Sequence, residues 1–180
     1  MIYFTSDLHL NHKSCISMCE RPFESIEEMN RVLIDNINAR VKMHDTLYIL
    51  GDLSFKGKRE EVERMISQIK CKHKILIKGN HDRNYTPELF EAIYDYREIH
   101  VSYEDKGFPV VLMHYPLFSW KNSRNGALML HGHIHSRGNE YNLQMKEEGI
   151  RRYDVGVDAN NYKPVSLEEI LSFMEVLDEG

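Results

Sequence analysis

Residues 75–82 read Ile75-Leu76-Ile77-Lys78-Gly79-Asn80-His81-Asp82, a short apolar run that closes on a glycine and then on side chains able to hold a metal or a proton. A short apolar, partly β-branched run that ends in a polar turn reads as a buried strand. Ligand sites in layered α/β proteins gather where such strands end. The same arrangement recurs on both sides of this stretch. Toward the N-terminus, Leu47-Tyr48-Ile49-Leu50 runs into Gly51-Asp52, and Ile2-Tyr3-Phe4 runs into Asp7-Leu8-His9. Toward the C-terminus, Val110-Val111-Leu112-Met113 runs into His114, and Ala127-Leu128-Met129-Leu130 into His131-Gly132-His133-Ile134-His135. This pattern places the metal-binding side chains together at one end of one sheet.

Between these runs the periodicity changes. Ser25 with Glu28 three residues on forms a capping-box pattern, and Ile26, Met29, Leu33, Ile37 and Val41 follow at helical steps. Val62, Met65, Ile66 and Ile69 repeat the stripe before a strand starting near Lys74. Strand, helix, strand, helix, strand implies βαβ crossovers and a largely parallel first half. Pro87 to Ala92 reads as a short helix with Thr86 as its cap. The second half, with strands at Ile99 to Tyr103, Pro109 to Met113, Ala127 to Leu130 and Arg152 to Val157, suggests a second, mixed or antiparallel sheet. Ser166 then caps a closing helix whose apolar face runs from Leu167 through Ile170, Leu171, Phe173 and Met174 to Leu177. The fold class expected is α/β, with two sheets and helices outside.

The 180 residues suit one domain spanning 1–180, and 42% hydrophobic with 28% charged residues is ordinary for a folded globular protein. A formal net charge of -5 gives no general attraction to nucleic acid or to an acidic membrane. Bound cations would reverse the local potential, so the overall acidity leaves a phosphate substrate open. Three cysteines, Cys15, Cys19 and Cys71, with no N-terminal apolar signal, suggest a reducing cytoplasm. Cys15 and Cys19, four apart, read as packed thiols rather than ligands. No apolar stretch approaches the roughly 20 residues that span a bilayer.

In an extended chain, residues two apart point the same way, so Asp7 and His9 can converge on one ion, as can His133 and His135. Carboxylates, imidazoles and an amide oxygen make an oxygen and nitrogen set suited to Mn, Fe, Zn or Ni rather than Ca. Gly51, Gly79 and Gly132 directly precede Asp52, Asn80 and His133, where the lack of a Cβ permits a sharp turn or close approach. Asp-x-His or His-x-His alone is common; the five in this order, each behind an apolar run, are not.

In that order the chain resembles the calcineurin-like metallophosphoesterase superfamily, notably its small single-domain bacterial or phage-type members. The resemblance implies a four-layer α/β/β/α sandwich of two mixed sheets flanked by helices, holding two divalent or transition metal ions, Mn favoured. It assigns Asp7, His9, Asp52 and His135 to one ion and Asp52, Asn80, His114 and His133 to the other, with Asp52 shared. His81 stands beside the metals without binding them, as proton donor or transition-state stabiliser, and Asp82 follows it as an accepted variant. The implied reaction is hydrolysis of a phosphodiester or small phosphate ester by a hydroxide held between two cations roughly 4 Å apart.

Asn11, His12, Arg83, Tyr115, Lys121 and Arg124 lie next to these motifs and are candidates to line the substrate pocket, Arg83 foremost because a guanidinium fork suits phosphate. His131 suits core packing or support of a ligand, and Trp120 suits the core better than an aromatic wall of the cleft for a base or ring. His44, His73 and His100 read as surface residues. Two other readings compete: a nuclease acting on DNA or RNA, which wants a basic stripe with aromatic residues, and a non-catalytic metal-binding interaction scaffold, which leaves an intact His81 unexplained.

Overall fold

The structure, a computed structural model, describes residues 1–55, 58–83 and 85–174. Strands β1 (Ile2–Thr5), β2 (Thr46–Ile49) and β3 (His73–Ile77) form the centre of the first sheet. Helices α2 (Ile26–Arg40) and α3 (Arg59–Ile66) supply the crossovers between them. A shorter helix, α1 (Lys13–Met18), precedes α2. β1 to β2, β2 to β3 and β3 to β4 (Ala92–Tyr94) all pair in parallel, while β9 (Val165–Ser166) adds antiparallel to β1. In the second sheet β5 (Tyr96–Tyr103) pairs antiparallel with β6 (Lys106–Met113), and β7 (Leu128–His131) and β8 (Arg152–Asp154) continue in parallel. Both sheets are mixed, and helices flank them.

The alternation of side chains along the first sheet explains its two buried faces. Tyr3, Leu47, Ile49 and Leu76 pack with Leu33 and Ile37 of α2 and with Val62 and Ile66 of α3. Their neighbours Phe4, Leu50 and Ile77 turn the other way, to Leu112, Leu128 and Leu130 of the second sheet and Leu171 of α5 (Leu167–Phe173). Period-two alternation of apolar residues on both faces is what a sheet between two layers requires. On the second sheet, α4 (Glu140–Glu147) lies against β8.

Several expectations need correction. Pro87–Leu89 is a single 3-10 turn, and Ala92 opens β4, an edge strand, instead of ending a helix. The Thr86 hydroxyl caps nothing and accepts from Arg59 Nε at 3.1 Å. At α2, Ser25 accepts from the Glu28 amide at 3.1 Å, but the Glu28 carboxylate reaches the Glu24 amide, so the reciprocal half of the box is displaced by one residue. The full box occurs at α5, where Ser166 and Glu169 exchange both bonds. Leu177 lies outside the described residues. Trp120 is half-buried at the rim of a surface cleft rather than in either core, its indole nitrogen donating to the Ala127 carbonyl at 2.9 Å.

Candidate metal centre

The ligand candidates come from the C-terminal ends of strands in both sheets. That corrects the expectation of one sheet end: β1, β2 and β3 deliver Asp7, His9, Asp52 and Asn80, while β6 and β7 in the facing sheet deliver His114, His133 and His135. Backbone bonds fix each set, and one bridge joins the first sheet to the second. Asp7 N donates to Gly51 O at 3.0 Å, Gly132 N to His114 O at 3.0 Å, and Ser6 forms an isolated parallel bridge with Gly156 just beyond β8.

Five of the seven candidates occupy the left-handed region: Asp7 (φ 59), His9 (48), Asp52 (54), His133 (74) and His135 (48). That conformation costs a non-glycine residue roughly 1–2 kcal/mol, and such strain concentrates at functional sites. Here it turns each side chain back across its strand end. Two glycines make room. Gly51 has φ 95, and a Cβ there would stand 2.5 Å from His114 Nδ1; a Cβ on Gly132 would collide with Ser6 Oγ and Asp7 Oδ2.

The nitrogen and oxygen atoms converge. Asp52 Oδ2 lies 3.6 Å from both His9 Nε2 and His114 Nε2, midway between two groups. On one side His9 Nε2 is 3.2 Å from His135 Nε2, which is 3.8 Å from Asp7 Oδ1. On the other, His114 Nε2 is 3.0 Å from Asn80 Oδ1 and 3.2 Å from His133 Nδ1. Asp7, His9, Asp52 and His114 are buried, whereas His133 is exposed, so the cluster opens to solvent on that side.

The residues fit cations. Asp7 Oδ1 is buried and accepts no hydrogen bond among the described residues, an unfavourable state for a carboxylate unless a cation meets it. Burial pushes the Asp7 carboxyl up to about 8 and, with His135 and Arg21 nearby, the His9 imidazole down to about 2. Burial also lowers His133. His135 behaves differently: burial disfavours its charge, but hydrogen bonds to Asp158 and Cys19 and the charge of Asp7 raise it to about 10. A cation supplies the positive charge that Asp7 lacks and takes the lone pairs that crowd here.

Support around the ligands sets their tautomers. His114 Nδ1 donates to the Leu50 carbonyl at 2.8 Å, leaving a lone pair on Nε2. His135 Nδ1 donates to Asp158 Oδ2 at 2.7 Å with the same effect. The half-buried Asp82 carboxylate collects the amides of Gly79 (2.7 Å), Asp52 (2.8 Å) and Leu53 (2.8 Å), fixing both turns at once. Burial raises its pKa against those three bonds.

Asp158 and Arg21 are absent from the sequence reading. Arg21 Nε and Nη2 each donate to Asp158 at 2.8 Å, and the same guanidinium donates to the carbonyls of Asp7 and Leu8. A sequence signal for Asp158 exists: Val155-Gly156-Val157 is one more apolar, glycine-containing run that ends in an acid. Arg21 has no comparable local mark. Cys15 and Cys19 Sγ lie 3.5 Å apart, Cys19 Sγ also lies 3.5 Å from His135 Nδ1, and each cysteine falls in a group of side chains close enough to share an ion.

The remaining candidates divide. His81 stands beside the cluster, its Nε2 3.9 Å from Asp52 Oδ2 and its ring edge-on to Phe55. His12 Nδ1 is 3.2 Å from His9 Nδ1, and the Tyr115 ring meets His133 at 4.6 Å. Arg83 is exposed two residues beyond His81. Asn11 turns toward the helices, its carbonyl oxygen accepting from Asn30 at 2.9 Å and its amide nitrogen 3.5 Å from Glu61. Lys121 is paired with Glu98 on the second sheet at 2.6 Å, and Arg124 lines a different cleft. His131 is buried, with Nδ1 bonded to Gly132 O, consistent with support rather than ligation. His44, His73 and His100 are exposed.

Comparison with known proteins agrees with this geometry. The chain is 35% identical over 176 residues to an uncharacterised protein of Methanocaldococcus jannaschii, covering 97% of this chain and 91% of that one. It is 26% identical over 203 residues to the Gene 66 protein of Mycobacterium phage D29, with 99% and 98% of the two chains covered. A crystal structure of a protein of unknown function from Aquifex aeolicus superposes with a TM-score of 0.70 at 27% identity, covering 96% of this chain and 98% of that one. Residues 1–159 match the family model for calcineurin-like phosphoesterases, and the chain belongs to that family.

Proposed function

We propose that this protein is a metal-dependent phosphoesterase that uses two cations, Mn favoured, and acts on phosphodiesters or small phosphate esters. The observation that carries the reading is the position of Asp52, whose Oδ2 stands 3.6 Å from an imidazole nitrogen of each half of the cluster. In this reading Asp7, His9 and His135 hold one ion and Asn80, His114 and His133 the other, with Asp52 shared. Bound cations would supply Lewis-acid activation of water and charge neutralisation at the phosphoryl group.

The chain's own residues do the rest. His81, half-exposed at the open edge, is free to turn its Nε2 toward a leaving oxygen and give it a proton or a hydrogen bond. Phe55, edge-on to the His81 ring, limits its swing. His12 and Tyr115 stand against His9 and His133, and Arg83, exposed two residues beyond His81, would bring a guanidinium to orient a phosphate oxygen.

The test compares bis(p-nitrophenyl) phosphate with p-nitrophenyl phosphate after the protein is stripped of metal and resupplied with Mn²⁺. The diester is expected to turn over faster, with none in Asp52→Asn. His81→Ala is expected to keep its metal content by elemental analysis and to lose about 10²–10⁴ in turnover. Turnover that survives in Asp52→Asn would overturn the reading.

A further inference from the structure

The segment after β6 and the turn before β8 enclose a cleft of ≈ 910 Å³ away from the metal centre, lined by Phe118, Trp120 and Arg124 on one side and Arg151 and Arg152 on the other. We infer that this cleft binds single-stranded nucleic acid, seating a base on the aromatic side chains and its phosphates against the guanidinium groups. The inference deepens the phosphoesterase reading by naming its substrate class, and rests on that reading for the cleavage step alone.

Three features of the lining carry it. First, the lining residues include three arginines and no carboxylate among the described residues, in a chain whose formal net charge is -5. A local positive patch in an acidic protein is the electrostatic footprint of a polyanion. Second, Phe118 is 98% exposed, a large apolar ring held in water. Beside it, Trp120 is fixed by its bond to the Ala127 carbonyl, so the indole is oriented before any ligand arrives. Aromatic faces next to cations are the elements that hold single strands without reading sequence. Third, the Arg152 head group is held by neutral groups: the Leu117 carbonyl at 3.0 Å, the Met145 sulfur at 3.2 Å and the face of Tyr141. Its Nε is buried and finds no hydrogen-bond acceptor among the described residues. The charge is positioned without being cancelled.

The cleft is also tethered to the metal centre. Tyr115, whose ring meets His114 and His133, precedes Phe118 by three residues, a span of at most roughly 10 Å of backbone. A strand crossing the cluster therefore reaches the cleft with neighbouring nucleotides. The alternation that makes a nuclease site is invisible in sequence because residues 118–124 and 151–152 meet only in the fold.

Binding of a fluorescein-labelled oligothymidylate of about 10 nucleotides is measured by anisotropy with the full chain, in an Asp52→Asn background that prevents cleavage. Phe118→Ala is expected to weaken binding about 5- to 150-fold, the range for loss of one stacked base. Arg124→Ala is expected to weaken it and to reduce the dependence of log K on log salt by about 1. In the otherwise wild-type chain both substitutions leave bis(p-nitrophenyl) phosphate turnover unchanged. Absence of binding, or binding unaffected by either substitution, overturns the inference. Competition by thymidine monophosphate at the same concentration as the oligomer also overturns it, in favour of a mononucleotide pocket. Loss of turnover toward the chromogenic diester in the wild type would count against the phosphoesterase reading, while the cleft would still be judged by binding.

Discussion

The two halves of the candidate metal centre are braced by different materials. Around Asp7, His9 and His135 the support is a side-chain network: His135 on Asp158, Asp158 on Arg21, and Arg21 back onto the Asp7 and Leu8 carbonyls. Around Asn80, His114 and Asp52 it is backbone: His114 on the Leu50 carbonyl, three turn amides on Asp82, and the His81 amide on Asp52 Oδ1 at 3.0 Å. A network of charges can be broken at one residue. The second brace rests on a peptide carbonyl at His114, and at the turns on a single carboxylate, Asp82, that gathers three backbone amides.

The largest effect is expected from Arg21→Met. It removes one charged partner of buried Asp158 and leaves His135 as the other, a loss bounded by the roughly 3–5 kcal/mol of a broken buried pair. For a chain of this size that lowers the melting temperature by roughly 10 °C. Thermal unfolding by circular dichroism checks it. An unchanged melting temperature would show that the first half does not depend on the charge pair.

Proton linkage sharpens the same contrast in metal-free protein. Asp7, raised from 3.8 to about 8 by burial, holds a proton in the folded state that the unfolded chain releases. His135, raised from 6.5 to about 10 against its burial, also keeps one. Cys19 works the other way: its bond with Cys15 lowers it to about 5, which offsets His135. His9, lowered to about 2, and His131, lowered to about 4, also bind fewer protons when folded, so only between about pH 7 and 8 does the folded state hold an excess, about half a proton, and there stability falls as pH rises, by roughly 0.7 kcal/mol per unit. Added Mn²⁺ replaces the proton at Asp7 and flattens the slope. A melting temperature that climbs with pH in chelated protein would refute this balance.

The contrast also explains what was legible in the sequence. Candidate ligands that follow their own strand, such as Asp52 after Leu47-Tyr48-Ile49-Leu50, announce themselves by local order. The brace at Arg21 and Asp158 joins residues 137 positions apart, which no local pattern records. Helix α2 was readable because four apolar residues, Met29, Leu33, Ile34 and Ile37, carry its stripe over fifteen residues despite one buried amide, Asn30. Helix α4 was not, because it buries Asn142 beside Met145, and the amide blurs the stripe. Asn142 spends that amide on both backbone groups of Asp154, a tertiary role. Helix α1, with Cys15 its one buried residue, is too short for a period to show.

A single supporting carboxylate discriminates most finely between the two halves. Asp158→Asn keeps the shape and an acceptor oxygen but removes the charge that holds the His135 ring and favours its Nδ1 proton. Loss of such a supporting carboxylate typically costs 10- to 100-fold in metal affinity, or about 1.4–2.7 kcal/mol. If the halves are separately braced, titration calorimetry with Mn²⁺ should show one of two binding phases weakened and the other unchanged. His114 keeps its tautomer through a peptide carbonyl that the substitution does not touch. Equal weakening of both phases would instead mean that Asp52, equidistant from His9 and His114, transmits the disturbance across the cluster, and the two halves would have to be treated as one unit.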